Sequence, residues 1–201
     1  MPITKFGLHT LITKSEARKA VINWRKEFTE SEIRSKTKLV IDKFLALDDY
    51  FYANRVHVYI SSRPGEVDTR QLIDAMDNAG KLILIPKLNQ ISKKLQRASF
   101  LGWDYLTKNN EGYFEPTVAF DEDLSDIDIV IIPAVAVSLK GQRVGYGGGY
   151  YDRLLKNSFA AKIVFAFEYQ VFNNIETDLH DIRVDKVITE RRVINTRLSN
   201  S

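Results

Sequence analysis

The chain has no cysteine. A disulfide framework, a thiolate zinc site and a thiol nucleophile are therefore excluded, and the absence fits a reducing, cytoplasmic setting. Long hydrophobic runs are also missing. The longest, Ile129–Val137, is broken by Pro133 and falls far short of the roughly 20 apolar residues a bilayer helix requires, so no membrane partner is expected. Residues 1–14, MPITKFGLHTLITK, do not read as a signal peptide. The net charge is small too: 29 basic residues against 26 acidic ones leave a formal charge of +3. Nucleic-acid binders cluster positive charge on one face and interleave it with aromatics, and that pattern is not found here. What remains is ordinary globular usage, 44% hydrophobic and 27% charged over 201 residues, enough for one domain with a buried core. There is no internal repeat and no evident linker.

The element signals alternate. Thr13 and Glu16 form the ends of a capping box, and Thr29 and Glu32 repeat it. Two helices are expected after them, the second running to about Leu47 with Ile33, Val40, Ile41, Phe44 and Leu45 on one side. Val56–Ile60 predicts a strand. Asp68-Thr69 caps a helix carrying Leu72, Ile73 and Met76, which ends near Gly80. Leu82–Ile85 predicts a strand halted by Pro86. Ile127–Ile132 and Ile163–Phe167 read as strands buried on both faces, with a helix at Tyr150–Lys156 between them and a short strand at Val187–Thr189. Leu95–Leu101 reads as an edge strand, Lys108–Gly112 as a turn, and Asp121–Asp123 as a solvated acidic loop. The expected fold is α/β, a single domain over residues 1–201 with helices on both sides of a mostly parallel sheet.

One stretch stands apart. Arg143–Arg153 reads RVGYGGGYYDR. In open α/β sheets ligands sit beyond the carboxyl ends of strands, and the strand Ile127–Ile132 leads into this segment. Glycine backbone approaches a ligand closely, and successive free N–H groups make an anion-binding concavity. Arg143 offers a bidentate fork for phosphate. Asp152 is a hard oxygen ligand of the kind Mg²⁺ uses beside phosphates. The tyrosines offer flat surfaces to a heterocycle. The stretch is neither a Walker A loop nor a Rossmann fingerprint, so spacing alone leaves both nucleotide binding and a plain surface loop open.

The longer run IIPAVAVSLKGQRVGYGGGYYDRLL resembles the signature of the 5-formyltetrahydrofolate cyclo-ligase family. KSEAR at Lys14–Arg18, VYISSRPGEVDT at Val58–Thr69, GKLILIP at Gly80–Pro86, FEP at Phe114–Pro116 and DIRVDKVITE at Asp181–Glu190 resemble other family segments in the same order. The likeness spans about residues 14–192. It implies a Rossmann-like three-layer fold and a monomer acting on small molecules. The implied enzyme consumes ATP, with Mg²⁺, to close 5-formyltetrahydrofolate into 5,10-methenyltetrahydrofolate.

The resemblance also implies roles. Lys14, Arg18, Arg143, Val144, Gly145, Tyr146, Gly147, Gly148, Gly149, Tyr150 and Tyr151 would hold ATP. Arg143, Tyr151 and Asp152 would be catalytic. Asp152 and Asp185 would ligate the metal. Ile60, Glu66, Trp103, Tyr146 and Tyr150 would bind the folate. Without the resemblance, Lys14 and Arg18 read as a solvated helix face, Glu66 as a helix-start acid, Trp103 as a core residue and Asp185 as an ordinary strand-start acid.

Two departures from the family pattern stand out. Val137 and Ser138 replace an aromatic and an acid, which implies a reshaped pterin pocket. Gly148 stands where many members carry lysine, and Lys140 is the residue expected to make up that phosphate contact. A folate- or nucleotide-binding regulatory protein that has lost turnover is the alternative reading.

Overall fold

The computed structural model describes residues 11–89, 91–109, 112–117 and 127–198; the acidic stretch Asp121–Asp123 lies outside them. Seven strands form the main sheet: β1 (Arg55–Val58), β2 (Leu82–Asn89), β3 (Lys94–Ser99), β4 (Ile129–Ile132), β5 (Ala161–Phe165), β6 (Lys186–Ile188) and β7 (Val193–Asn195). Their spatial order is β7-β6-β5-β4-β1-β2-β3. The five central strands run parallel, and the two edge strands β3 and β7 pair antiparallel. Among the described residues, five α-helices accompany them: α1 (Lys14–Arg25), α2 (Glu30–Leu45), α3 (Asp48–Tyr52), α4 (Arg70–Asn78) and α5 (Tyr150–Leu155).

Strand side chains alternate between faces, and the two faces build separate cores. Val56, Val58, Ile129, Ile131, Ile163 and Phe165 pack with Val21 of α1, Phe44 of α2 and Ile73 of α4. Val130, Ile132, Val164 and Val187 pack on the other side with Leu155 of α5. The domain thus has three layers, one with most of the helical mass and one thin. Both capping boxes form as the sequence predicts, with each threonine hydroxyl accepting from the glutamate N–H and each glutamate carboxylate accepting from the threonine N–H.

Several elements differ from expectation. Pro86 does not halt its strand: β2 continues to Asn89 against β3. Its other neighbour, β1, pairs only as far as Leu84, so the missing N–H falls where the ladder is already one-sided. Thr69 occupies the N-cap of α4 but its hydroxyl donates to the Tyr59 carbonyl, and the Asp68 carboxylate accepts from the Arg70 N–H instead. The segment after β4, to which the sequence assigned no element, forms a small sheet: Ala136–Ser138 pairs antiparallel with Arg143–Val144 and parallel with Val171–Phe172. Val137 and Ser138 are fully buried there, with the Ser138 hydroxyl bonded to Gln142. They form no wall of the cleft described below, which corrects the expectation of a reshaped pterin pocket.

Candidate active site

The glycine stretch leaves the small sheet at Val144 and enters α5 at Tyr150. Gly147 (φ +106°) and Gly149 (φ +60°) take left-handed backbone, which glycine adopts without strain. The N–H groups of Gly147, Gly148 and Gly149 meet no acceptor among the described residues. Arg18 of α1 donates through Nε and Nη2 to the Gly145 carbonyl at 3.2 and 3.0 Å, fixing the start of the loop.

Arg143 is almost completely buried, and its Nη2 donates to Asp152 Oδ1 at 2.8 Å. The Ile182 N–H donates to the same oxygen at 3.2 Å. Lys14 pairs with Asp178 at 2.7 Å and, more closely, with Asp181. Burial pulls its pKa down, but the two carboxylates outweigh that and raise it. The Tyr151 hydroxyl is buried without a partner among the described residues, and burial pushes its pKa well up.

These groups line a cleft of about 1050 Å³ that also takes in Tyr59, Ile60, Glu66, Pro86 and Pro133, just past the carboxyl ends of β1 and β4 and along the second half of β2. At the Glu66 end, Tyr146 Oη donates to Glu66 Oε1 at 2.6 Å. Oε2 accepts from the N–H groups of Ser62 and Arg63 at 3.4 and 3.2 Å. Burial, with Glu66 adding, pushes the Tyr146 pKa up to about 12. The Arg63 guanidinium lies 4.1 Å from the Tyr146 ring centroid.

Most predicted site residues therefore meet in one cavity: Lys14, Arg18, Ile60, Glu66, Arg143, Gly145–Tyr151 and Asp152. Four do not. Val144 is fully buried in the core and borders the site only through its backbone. Trp103 packs on Phe100 and donates from Nε1 to Asp74 of α4 at 2.7 Å, away from the cleft lining. Asp185 precedes β6, at the amino end of a parallel strand, and its carboxylate takes the Arg197 guanidinium at 2.7 Å and the Lys162 N–H at 2.9 Å. Lys140 is exposed on the turn before Gly141 and does not line the cleft. Sequence reasoning missed Tyr59, Arg63, Tyr113, Phe114 and the segment Asp178–Ile182, which also line it. Phe114 had a signal in its FEP context; Arg63 and Asp178 sit among polar loop residues that carry no pattern.

A mostly parallel sheet with a glycine loop, buried cations and tyrosines gathered at its carboxyl edge is the arrangement in which α/β enzymes hold ligands beyond their strands. Known proteins narrow the class. The chain matches the 5-formyltetrahydrofolate cyclo-ligase family over residues 11–190. The 5-formyltetrahydrofolate cyclo-ligase of Escherichia coli strain K12 is 29% identical over 175 residues, covering 84% of this chain and 96% of its own. A probable 5-formyltetrahydrofolate cyclo-ligase of Caenorhabditis elegans is 26% identical over 195 residues, covering 90% and 94%. Among solved structures, the 5,10-methenyltetrahydrofolate synthetase of Aquifex aeolicus superposes with a TM-score of 0.82 at 32% identity, covering 94% of this chain and 95% of that one. The chain belongs to the 5-formyltetrahydrofolate cyclo-ligase family and is an enzyme of the ligase class. No helix among the described residues is long and apolar enough to cross a membrane.

Proposed function

We propose that this protein couples ATP consumption, with Mg²⁺, to cyclisation of 5-formyltetrahydrofolate into 5,10-methenyltetrahydrofolate, releasing ADP and phosphate. The observation that carries the reading is the continuity of one cleft from Glu66 to Arg143, Asp152 and the glycine loop. A carboxylate held among tyrosines and a glycine loop flanked by Arg18 and Arg143 suit a pterin and a triphosphate held in one cleft.

An amide-like formyl oxygen is a poor leaving group. Its attack on the terminal phosphorus of ATP turns it into a phosphate ester and expels ADP. N10 of the folate then attacks the activated formyl carbon. Loss of the N10 proton and of inorganic phosphate leaves the methenyl bridge. Little covalent work falls to the protein, which positions both partners and compensates charge on the moving phosphoryl group.

Of the cations lining the cleft, Arg143, Arg18 and Lys14 would face the phosphates, and the N–H groups of Gly147–Gly149, unengaged among the described residues, complete the cradle. Tyr150 and Tyr151 line the same cleft. Glu66 accepts from donors on the pterin, beside Ile60. Asp152 fits a magnesium role. One carboxylate oxygen is fixed by Arg143 and Ile182 while Oδ2 has no partner among the described residues. No group of three acid or imidazole ligands gathers there among those residues, which suits a cation that takes one or two carboxylates and completes its shell with phosphate oxygens and water. Bound there, Mg²⁺ would neutralise charge on those oxygens. The protein acts as a monomer on small molecules in the cytoplasm.

The test is the growth of methenyl-folate absorbance with purified protein, Mg²⁺, ATP and 5-formyltetrahydrofolate. Turnover is expected only with all components present. Asp152→Asn keeps the hydrogen bond to Arg143 in reach and is expected to lower kcat by about 100-fold or more, the scale of losing one charged stabiliser. Tight folate binding by the wild type without turnover would replace the ligase reading with the regulatory one.

A further inference from the structure

Arg25 closes α1 and, from the sequence, is one more cation at a helix end. In the structure its Nη1 reaches across to donate to Tyr146 Oη at 3.0 Å. A phenol carries one proton. With a guanidinium donating to the oxygen, that proton goes to the remaining neighbour, Glu66 Oε1, 2.6 Å away. The three groups form a directed chain from cation through hydroxyl to carboxylate.

A second observation marks the arrangement as built rather than incidental. Gly65 has φ +73°, and a Cβ there would lie 2.8 Å from Arg25 Cγ. The Arg25 stem therefore fills the space that a side chain at position 65 would need, directly beneath the loop that presents Glu66. The Arg63 guanidinium lies over the Tyr146 ring. Glu66 Oε2 is occupied by two backbone donors. Each carboxylate oxygen accepts about two bonds, so Oε1, with Tyr146 on it, keeps one place for a donor from a ligand.

We propose that Arg25 is a positioning residue for recognition at the Glu66 end of the cleft: it directs the Tyr146 proton onto Glu66 and so holds that carboxylate oriented for a ligand donor. The inference rests on the folate reading given above and adds a residue outside the cleft lining to it.

The experiment is calorimetric binding of 5-formyltetrahydrofolate, with KM for each substrate, in wild type, Arg25→Met, Arg25→Lys, Tyr146→Phe and the double variant. Arg25→Met is expected to weaken folate binding about tenfold, the scale of one charge-assisted hydrogen bond, while the ATP KM stays within about twofold, as for an independent site. Arg25→Lys restores part of the affinity. Arg25→Met added to Tyr146→Phe has no further effect, because the relay is already cut. Additive losses, equal losses for both substrates, or an unchanged folate affinity in Arg25→Met would overturn the relay. Thermal unfolding of each variant separates these results from failure to fold, and the lysine variant retains the charge if the methionine one does not fold. A wild-type protein that binds no folate removes the functional reading and the relay with it, whereas a folate-binding wild type with an indifferent Arg25→Met removes the relay alone.

Discussion

His57 lies in the middle of β1, on the face toward α5, completely buried, with its ring 5.9 Å from that of Tyr151. Burial, reinforced by the charge of Arg97, pulls its pKa down to about 3. The unfolded chain takes up this proton below about pH 6.5, the folded chain only near pH 3. Stability therefore rises with pH through that window and is lost as pH falls, by about 1.4 kcal/mol per unit. His57→Leu should remove this component. Urea midpoints at pH 7, 5.5 and 4.5 are expected to fall more steeply for the wild type than for the variant; parallel curves would refute the assignment. At this scale the sequence singled out one segment, Arg143, the glycines, Tyr151 and Asp152, and the structure gathers those residues in one cleft. The sequence could not show Arg25, whose partner lies 121 positions away, or the buried ring of His57, which looks like any polar residue in a strand.

Helices with capping boxes were readable to within a residue or two, because both ends of each box lie in adjacent sequence. Elements defined by distant partners were not. β2 outlasts Pro86 only because β3 pairs with it, and the small sheet at Ala136–Val144 depends on Val171–Phe172. Its turn carries a sharp constraint. Gly141 has φ +78°, and a Cβ there would sit 2.5 Å from the Val184 carbonyl oxygen, which also faces the Thr196 hydroxyl. Gly141→Ala combines left-handed strain with this collision and is expected to destabilise by about 1–3 kcal/mol. Calorimetric melting should drop by roughly 2–4 °C per kcal/mol for a chain of this size. An unchanged melting temperature would mean that the turn is looser than its contacts imply. Since the turn delivers Arg143 to the cleft, a fall in activity larger than the loss of fold would be expected in the same variant.

For the whole molecule, the sequence rhythm predicted the parallel α/β sheet with helices on both faces, and it left the unequal thickness of the two helical layers unread. The cleft runs across the carboxyl edge and takes in Lys14, Arg18 and Arg143 as well as Glu66, with Arg63 beside it. The two ligands should each stabilise the fold by linkage, about 2.7 kcal/mol at 100 times the dissociation constant. Thermal shifts are expected for ATP with Mg²⁺ and for 5-formyltetrahydrofolate separately. Arg18→Gln, which loses the tie to the Gly145 carbonyl, should abolish most of the ATP shift and spare the folate shift. Equal loss of both would show that the two ligands do not have separate sites.

At Gly148 a Cβ would fall 2.4 Å from the ring of Tyr150. Position 148 and the tyrosine ring thus compete for one volume, and only one of them can occupy it. A chain with lysine at this point must swing the ring aside, trading an aromatic wall over the loop for a mobile cation. Exchanges at the two positions are therefore coupled, and a side chain at 148 calls for a moved or smaller residue at 150.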